Sequence, residues 1–275
     1  MTATEKEVVV RAGRRAAEAP AEAPSAPTIP VVAAAELDPK LKATGPLAEV
    51  PPETMDRVQT WLSDYNAYLA ESTGRYVERV AAANAAAQAR KRRGLEPEVG
   101  EPTVGPYVAF DVLMISPIQL ITPPITYAPS RIVGGGELAF LLAYLWANPA
   151  ADILNGFAVP ANFQLGNRNV RVSFDQLNLT NATAGPNFTF VFNLGPAPIP
   201  PIIPILVPFI TPGVATPELI EVNVTADILD MGQPYAAFGT WQIDIDAEPP
   251  WWFLPGTPSQ LQHDIPMRYM VYPRF

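Results

Sequence analysis

The one histidine of the chain, His263, stands in "QLQHDIP", and there is no cysteine anywhere. A nucleophilic triad needs a nucleophile, a base and a carboxylate in mutual reach, and no GxSxG elbow is present to supply the first. One imidazole without a thiolate cannot assemble the nitrogen and sulfur ligands that a transition metal takes from protein. His263 therefore reads as a surface loop residue. Carboxylates are what remains. Asp244, Asp246 and Glu248 alternate along one segment, and Asp227 and Asp230 close another. Such oxygens suit calcium, yet they lack the glycine-containing loop of an EF-hand, and the solvent face of a strand produces the same alternation. A glycosidase-type hydrolase needs two carboxyl groups facing each other at a set separation, and nothing pairs them here. The expectation is a protein that is not an enzyme, with no metal and no cofactor.

Three further motifs bear on binding. "RIVGGGEL" (131–138) has no Lys-Ser/Thr after its glycines and lacks the spacing of a dinucleotide loop, so it reads as a flexible turn. Asn178, Asn181, Asn187 and Asn223 match the glycosylation pattern, but without a signal peptide they read as turn and strand residues. "EPPWWFLPG" (248–256) gathers Trp251, Trp252 and Phe253 between prolines. Large aromatics anchor interfaces, and this cluster is the candidate ligand-binding site for a carbohydrate or another protein. A loop folded back over the core is the alternative.

Charge narrows the partners. The net charge is −9, and residues 95–275 hold 15 carboxylates against five basic side chains. Phosphate affinity comes from Lys and Arg, so nucleic acid is excluded as the main partner, and an anionic membrane surface is disfavoured. No proline-free apolar run reaches the roughly 20 residues of a membrane span, and the N-terminus shows no signal-peptide core. The expected location is the cytoplasm or a particle released from the cell.

The elements that would position these residues fall into three parts. Residues 1–50 form a Pro/Ala-rich extended arm whose composition cannot build a core alone. The arm is either a free tail or an arm anchored on a neighbour through "TIPVVAAAEL". Residues 51–94 read as a long helix, with prolines at its start, "RKRR" in its last turn and Gly94 at its C-terminal stop. Val58, Leu62, Tyr65, Leu69, Ser72 and Tyr76 recur at three and four, as a coiled-coil seam does. The stripe suits an intermolecular bundle or a helix lying on its own domain. Gly74 is a point at which the helix could divide.

Residues 95–275 read as the β-domain. Strands are expected at 107–115, 137–148, 169–180, 187–194, 218–229, 239–247 and 267–275, joined by Pro/Gly turns; for the apolar run 137–148, set between Gly134–Gly136 and Pro149, a buried helix is the alternative. The fold expected is mainly β with an N-terminal helix: an antiparallel, jelly-roll-like β-sandwich behind the arm and a coiled-coil-like helix. "GPAPIPPIIPILVPFITPG" (195–213) is uncharged and holds seven prolines, so it is expected to follow a polyproline-like path rather than a central strand. Its Ile202, Ile203, Ile205, Leu206 and Phe209, with Val58, Leu62, Tyr65, Leu69 and Tyr76 of the helix, are candidate interface residues. The function this implies is a structural, self-assembling subunit of a fibre, shell or attachment particle, active as a homo-oligomer. A carbohydrate- or protein-binding sandwich module is the rival, and a carboxylate-dependent hydrolase the third reading.

Overall fold

Apolar runs of two textures divide the β-region. "LAFLLAYLWA" and "IIPILVPFI" are apolar at nearly every position, whereas "NVRVSFDQLN", "FTFVFN" and "MRYMVY" alternate. A strand covered on both faces can be apolar throughout, and one with a wet face must alternate. The computed structural model of the protein describes residues 42–94, 110–119, 128–129, 131–151, 158–229, 231, 235–241 and 266–273, and in it the two textures form two different layers.

In chain order the elements are β1 (Lys42–Thr44), α1 (Pro52–Arg92), β2 (Phe110–Gln119), β3 (Ala128–Pro129), β4 (Ile132–Gly134), β5 (Leu138–Ala147) and α2 (Ala161–Gln164). There follow β6 (Asn169–Asn178), β7 (Thr183–Ala184), β8 (Phe188–Asn193), β9 (Ile202–Ile210), β10 (Glu218–Ile228), β11 (Tyr235–Trp241) and β12 (Met267–Tyr272). The strands form one hydrogen-bonded sheet in the order β1-β8-β6-β10-β11-β2-β5-β9, with β12 and β4 branching from β10. The sheet folds back on itself. Phe188 of β8 and Phe209 of β9 lie near opposite ends of that order, yet their ring centroids are 6.0 Å apart. Inward residues of β6, β8, β10 and β12, such as Val172, Phe190, Val222 and Tyr269, share one core with Val112, Leu141, Ile205 and Val207 of the β2-β5-β9 layer.

The second core lies on the other face of that layer. Val58, Leu62, Leu69 and Tyr76 of α1 pack on Leu113, Ile115, Phe140, Leu142, Tyr144, Trp146 and Leu206. Tyr65 lies against Tyr144 with ring centroids 5.6 Å apart, and Tyr76 meets Trp146 edge-on at 5.5 Å. Asn148 Nδ2 donates to the Tyr76 hydroxyl at 3.1 Å. The heptad-like stripe thus meets the chain's own sheet. Gly74 leaves α1 unbroken over all 41 residues, and the C-terminal stop is as expected, with Gly94 in the left-handed region at φ 72°. The β2-β5-β9 layer is buried from both sides, which is why β5 shows no alternation.

The expectation for 195–213 needs correction. Residues 202–210 are a β-strand paired along nine positions with β5. The prolines are compatible because β9 is an edge strand, paired on one side only. Pro204 and Pro208 are four apart, so both turn the same side of the backbone away from β5. On that outer side the Pro208 carbonyl accepts the Ala48 amide at 3.0 Å. The ladder bonds to β5 belong to Ile203, Ile205, Val207 and Phe209, which can donate. Residues 45–50 run along this edge. Leu47 packs on the inner core and Val50 on the helix–sheet core. Gly45, at φ 122°, permits the approach: a Cβ there would lie 2.4 Å from the Asn187 carbonyl oxygen.

The all-antiparallel sheet is also corrected. β11 runs parallel to β2, and β12 parallel to β4. Short hairpins force antiparallel neighbours, but each of these pairs is separated by more than a hundred residues of chain, which leaves orientation free. β11 is the crossing point: it pairs with the end of β10 in one layer and with β2 in the other. No helix among the described residues is long and apolar enough to cross a membrane.

Two predictions follow from the layering. Val207→Pro removes a ladder donor and is expected to cost about 3 kcal/mol or more. Pro208→Ala, on the outward parity, is expected to cost about 1 kcal/mol; equal losses in urea unfolding would refute the parity. Burial raises the Tyr65 and Tyr144 phenols above their ordinary value of 10.0, with a smaller contribution from neighbouring phenols. Their neutral form is favoured in the folded state, so the stability they contribute is complete below pH 10 and is lost as pH rises beyond it. Tyr65→Phe should flatten that alkaline loss in urea midpoints, and an unchanged slope would remove the assignment.

Candidate functional site: the uncovered face of the outer layer

α1 covers the outer face of the β2-β5-β9 layer, and among the described residues no such element covers the outer face of the β6-β10-β12-β4 layer. Its composition follows from the alternation. In β6 the odd positions Arg171, Ser173, Asp175 and Leu177 point out, while Val170, Val172, Phe174 and Gln176 are buried. In β10, Leu219, Glu221, Asn223, Thr225 and Asp227 share the outward side, and in β12 Arg268, Met270 and Tyr272 do.

Register sets these side chains in rows across the strands. Asp227 stands opposite Arg171, whose Nε and Nη2 donate to its two carboxylate oxygens at 3.0 and 2.9 Å. The Asp227 hydrogen bond, with its charge, raises the Arg171 pKa further. Glu221 stands opposite Arg268, which donates from Nε at 2.8 Å and lies 2.7 Å away through Nη2. The next row is apolar. Leu219 pairs with Met270, and Met270 with Ile132 of β4, while the Leu179 amide donates to the Leu219 carbonyl at 2.8 Å. Ile132 is 59% exposed and Leu177, one row in, 40%. This face combines a band of paired charges with a wet apolar row across three strands.

Beneath it the inner side is closed by polar contacts. The Tyr269 hydroxyl donates to Gln176 Oε1 at 2.6 Å, and Gln176 Nε2 donates to the Pro186 carbonyl at 2.7 Å. At the rim, the turn expected at "GGG" is present and is held by hydrogen bonds. The Gly135 amide donates to the Tyr272 carbonyl and the Gly136 amide to the Thr211 carbonyl. Gln119 exchanges two hydrogen bonds with Gly134, and the Thr211 hydroxyl donates to the Gly134 carbonyl. A Cβ on Gly135 would lie 2.9 Å from the Pro212 carbonyl oxygen. The glycine segment ties β4, β9 and β12 together: Gly135 permits close backbone approach, and Gly136 supplies the left-handed φ of 71° that the turn needs.

The residues singled out from sequence are dispersed. Val58, Leu62, Tyr65, Leu69 and Tyr76 line the helix–sheet core, and Ile202 and Leu206 face the same core from β9. Ile203, Ile205 and Phe209 point the other way, into the inner core. None of these ten forms a free surface for another chain. Trp251, Trp252, Phe253, His263, Asp230, Asp244, Asp246 and Glu248 lie outside the described residues. Asp227 is engaged by Arg171, and among the described residues no group of three or more His, Asp or Glu is placed to hold a metal. The sequon asparagines serve turns and strands: Asn178 Oδ1 accepts from the Thr180 and Asn181 amides, Asn181 Oδ1 from the Thr183 amide and Asn187 Oδ1 from the Gln176 amide. The sequence reading missed the apolar row. Its trace was there, since Leu177 and Leu219 fall on the outward parity of strands that otherwise send charge and amide groups that way.

Comparison with known proteins adds little. No protein-family model matches the chain, and no curated protein matches it. Among solved structures, the sporulation control protein Spo0M from Bacillus subtilis aligns at 10% identity over 62% of this chain and 51% of that one, with a TM-score of 0.20. The alignment spans about half of that protein's length and carries no argument about this one.

Proposed function

We propose that the protein is a non-enzymatic structural subunit that associates with copies of itself, and that the copies meet through the uncovered face of the β6-β10-β12-β4 layer. Two features that suggested self-assembly, the helix stripe and the proline belt, are satisfied inside one chain, so the proposal rests on this face. The observation that carries it is the apolar row of half-buried Leu219 and Met270 and exposed Ile132, flanked by exposed Leu177. An exposed apolar row rimmed by polar groups is the usual form of an association surface.

A second copy is the occupant that charge favours. The molecule as a whole is acidic at −9. On this face Arg171 and Arg268 each meet a carboxylate, and among the described outward positions of β6, β10 and β12 Asp175 is the one further charge. Like molecules repel least where their charge is nearly balanced. A two-fold arrangement also presents the same row to itself, and each arginine of one copy can meet a carboxylate of the other. The wider fibre, shell or particle remains part of the same proposal, together with the Pro/Ala arm as a candidate strap between subunits.

Light scattering on the full chain at micromolar concentration is expected to give a mass above 29.7 kDa. Ile132→Glu combined with Leu177→Glu is expected to return the monomer mass with unchanged circular dichroism, since both side chains are exposed. A wild-type monomer, or an oligomer indifferent to both changes, would overturn the proposal. Retained assembly with loss of a ligand on Trp251→Ala and Trp252→Ala would point instead to a binding module.

A further inference from the structure

The seam between α1 and β5 contains more polar oxygen than it uses. Tyr65 Oη, Asn66 Oδ1, Ser72 Oγ and Thr73 Oγ1 of the helix, and Tyr144 Oη of the strand, are all buried without a hydrogen-bond partner. Ser72 and Tyr144 have no exposed surface, Thr73 is 3% exposed and Asn66 6%. Folded proteins satisfy nine-tenths or more of such groups, because stripping a hydroxyl of water without replacing its bond costs more than an ordinary hydrogen bond returns. Of the five, Tyr65 and Tyr144 meet across the seam, and their two hydroxyls need a common partner.

Tyr65 lies against Tyr144 with ring centroids 5.6 Å apart. Ser72 follows Tyr65 by seven residues, two helical turns along the same row, and Asn66 and Thr73 repeat that spacing on the adjoining row. Beside Tyr144 in the sheet stand Leu113 and Pro204, whose side chains neither donate nor accept. The set is uncharged. Its hydroxyls both give and take hydrogen bonds, and its one amide oxygen takes them. The matching ligand is small, neutral and able to do both.

We propose that this seam is a binding site for internal water, with at least one molecule bridging Tyr144 to Tyr65 or Ser72. Water in a polar site with two to four partners is a structural component of a protein, held for far longer than surface water. Its place here explains why the centre of a helix–sheet core carries serine, threonine and two phenols where leucine would pack as well.

A high-resolution crystal structure of the full chain is expected to show ordered water within hydrogen-bond distance of Tyr144 Oη. Tyrosine and serine hydroxyls bonded only to protein atoms, or left dry, would overturn the proposal. In solution, oxygen-17 relaxation dispersion counts long-lived internal waters. Tyr144→Phe and Ser72→Ala are expected to lower that count by at least one relative to the unchanged chain, and an equal count would overturn the proposal. Should a variant fail to fold, the crystallographic result on the unchanged chain decides the matter.

Discussion

Burial of the β2-β5-β9 layer from both sides is the constraint on which the rest depends. α1 needs an apolar surface to lie on, and the folded-back strands need one to close against. A single layer serves both, so β5 carries a fully buried run from Ala139 to Ala147. Burying large side chains such as Phe140 and Leu142 contributes about 1.5–3 kcal/mol each, and this layer supplies such side chains to both cores. The helix stripe has the spacing of a coiled coil because any helix laid on a flat apolar face needs the same periodicity.

The proline strand follows from that constraint. β9 is the last strand of the layer and must be apolar on both faces while leaving one edge unpaired. An unpaired edge with free donors invites other strands. Pro204 and Pro208 remove two donors on the outward parity and leave the ladder to β5 intact, and the Ala48 amide closes onto Pro208. The same residues that seem to forbid a strand therefore protect one. The Gly134–Gly136 turn completes the arrangement by drawing β4, β9 and β12 to one point, where a side chain on Gly135 would crowd backbone and Gly136 takes a left-handed φ of 71°.

Among the described residues the opposite face has no such closure. Its charges are paired across strands and its apolar row is wet, a combination that suits contact with a like surface. That asymmetry, one sheet face under a helix and the other open, is the structural ground for reading the protein as a building block.

Sequence by itself determined the local elements: a helical segment within 51–94, its stop at Gly94, and the alternating strands β6, β8, β10 and β12. Each rests on periodicity or on a cap, which are properties of neighbouring residues. It also carried the parity of Leu177 and Leu219, although a lone outward leucine has meaning only when its cross-strand neighbours are known. Tertiary structure alone decided what the helix stripe packs against, that 202–210 is an edge strand, that β11 and β12 pair in parallel, and that Leu219, Met270 and Ile132 make one row. Those depend on contacts between residues far apart in the chain, where spacing is silent and only register and the order of layers can choose the partner.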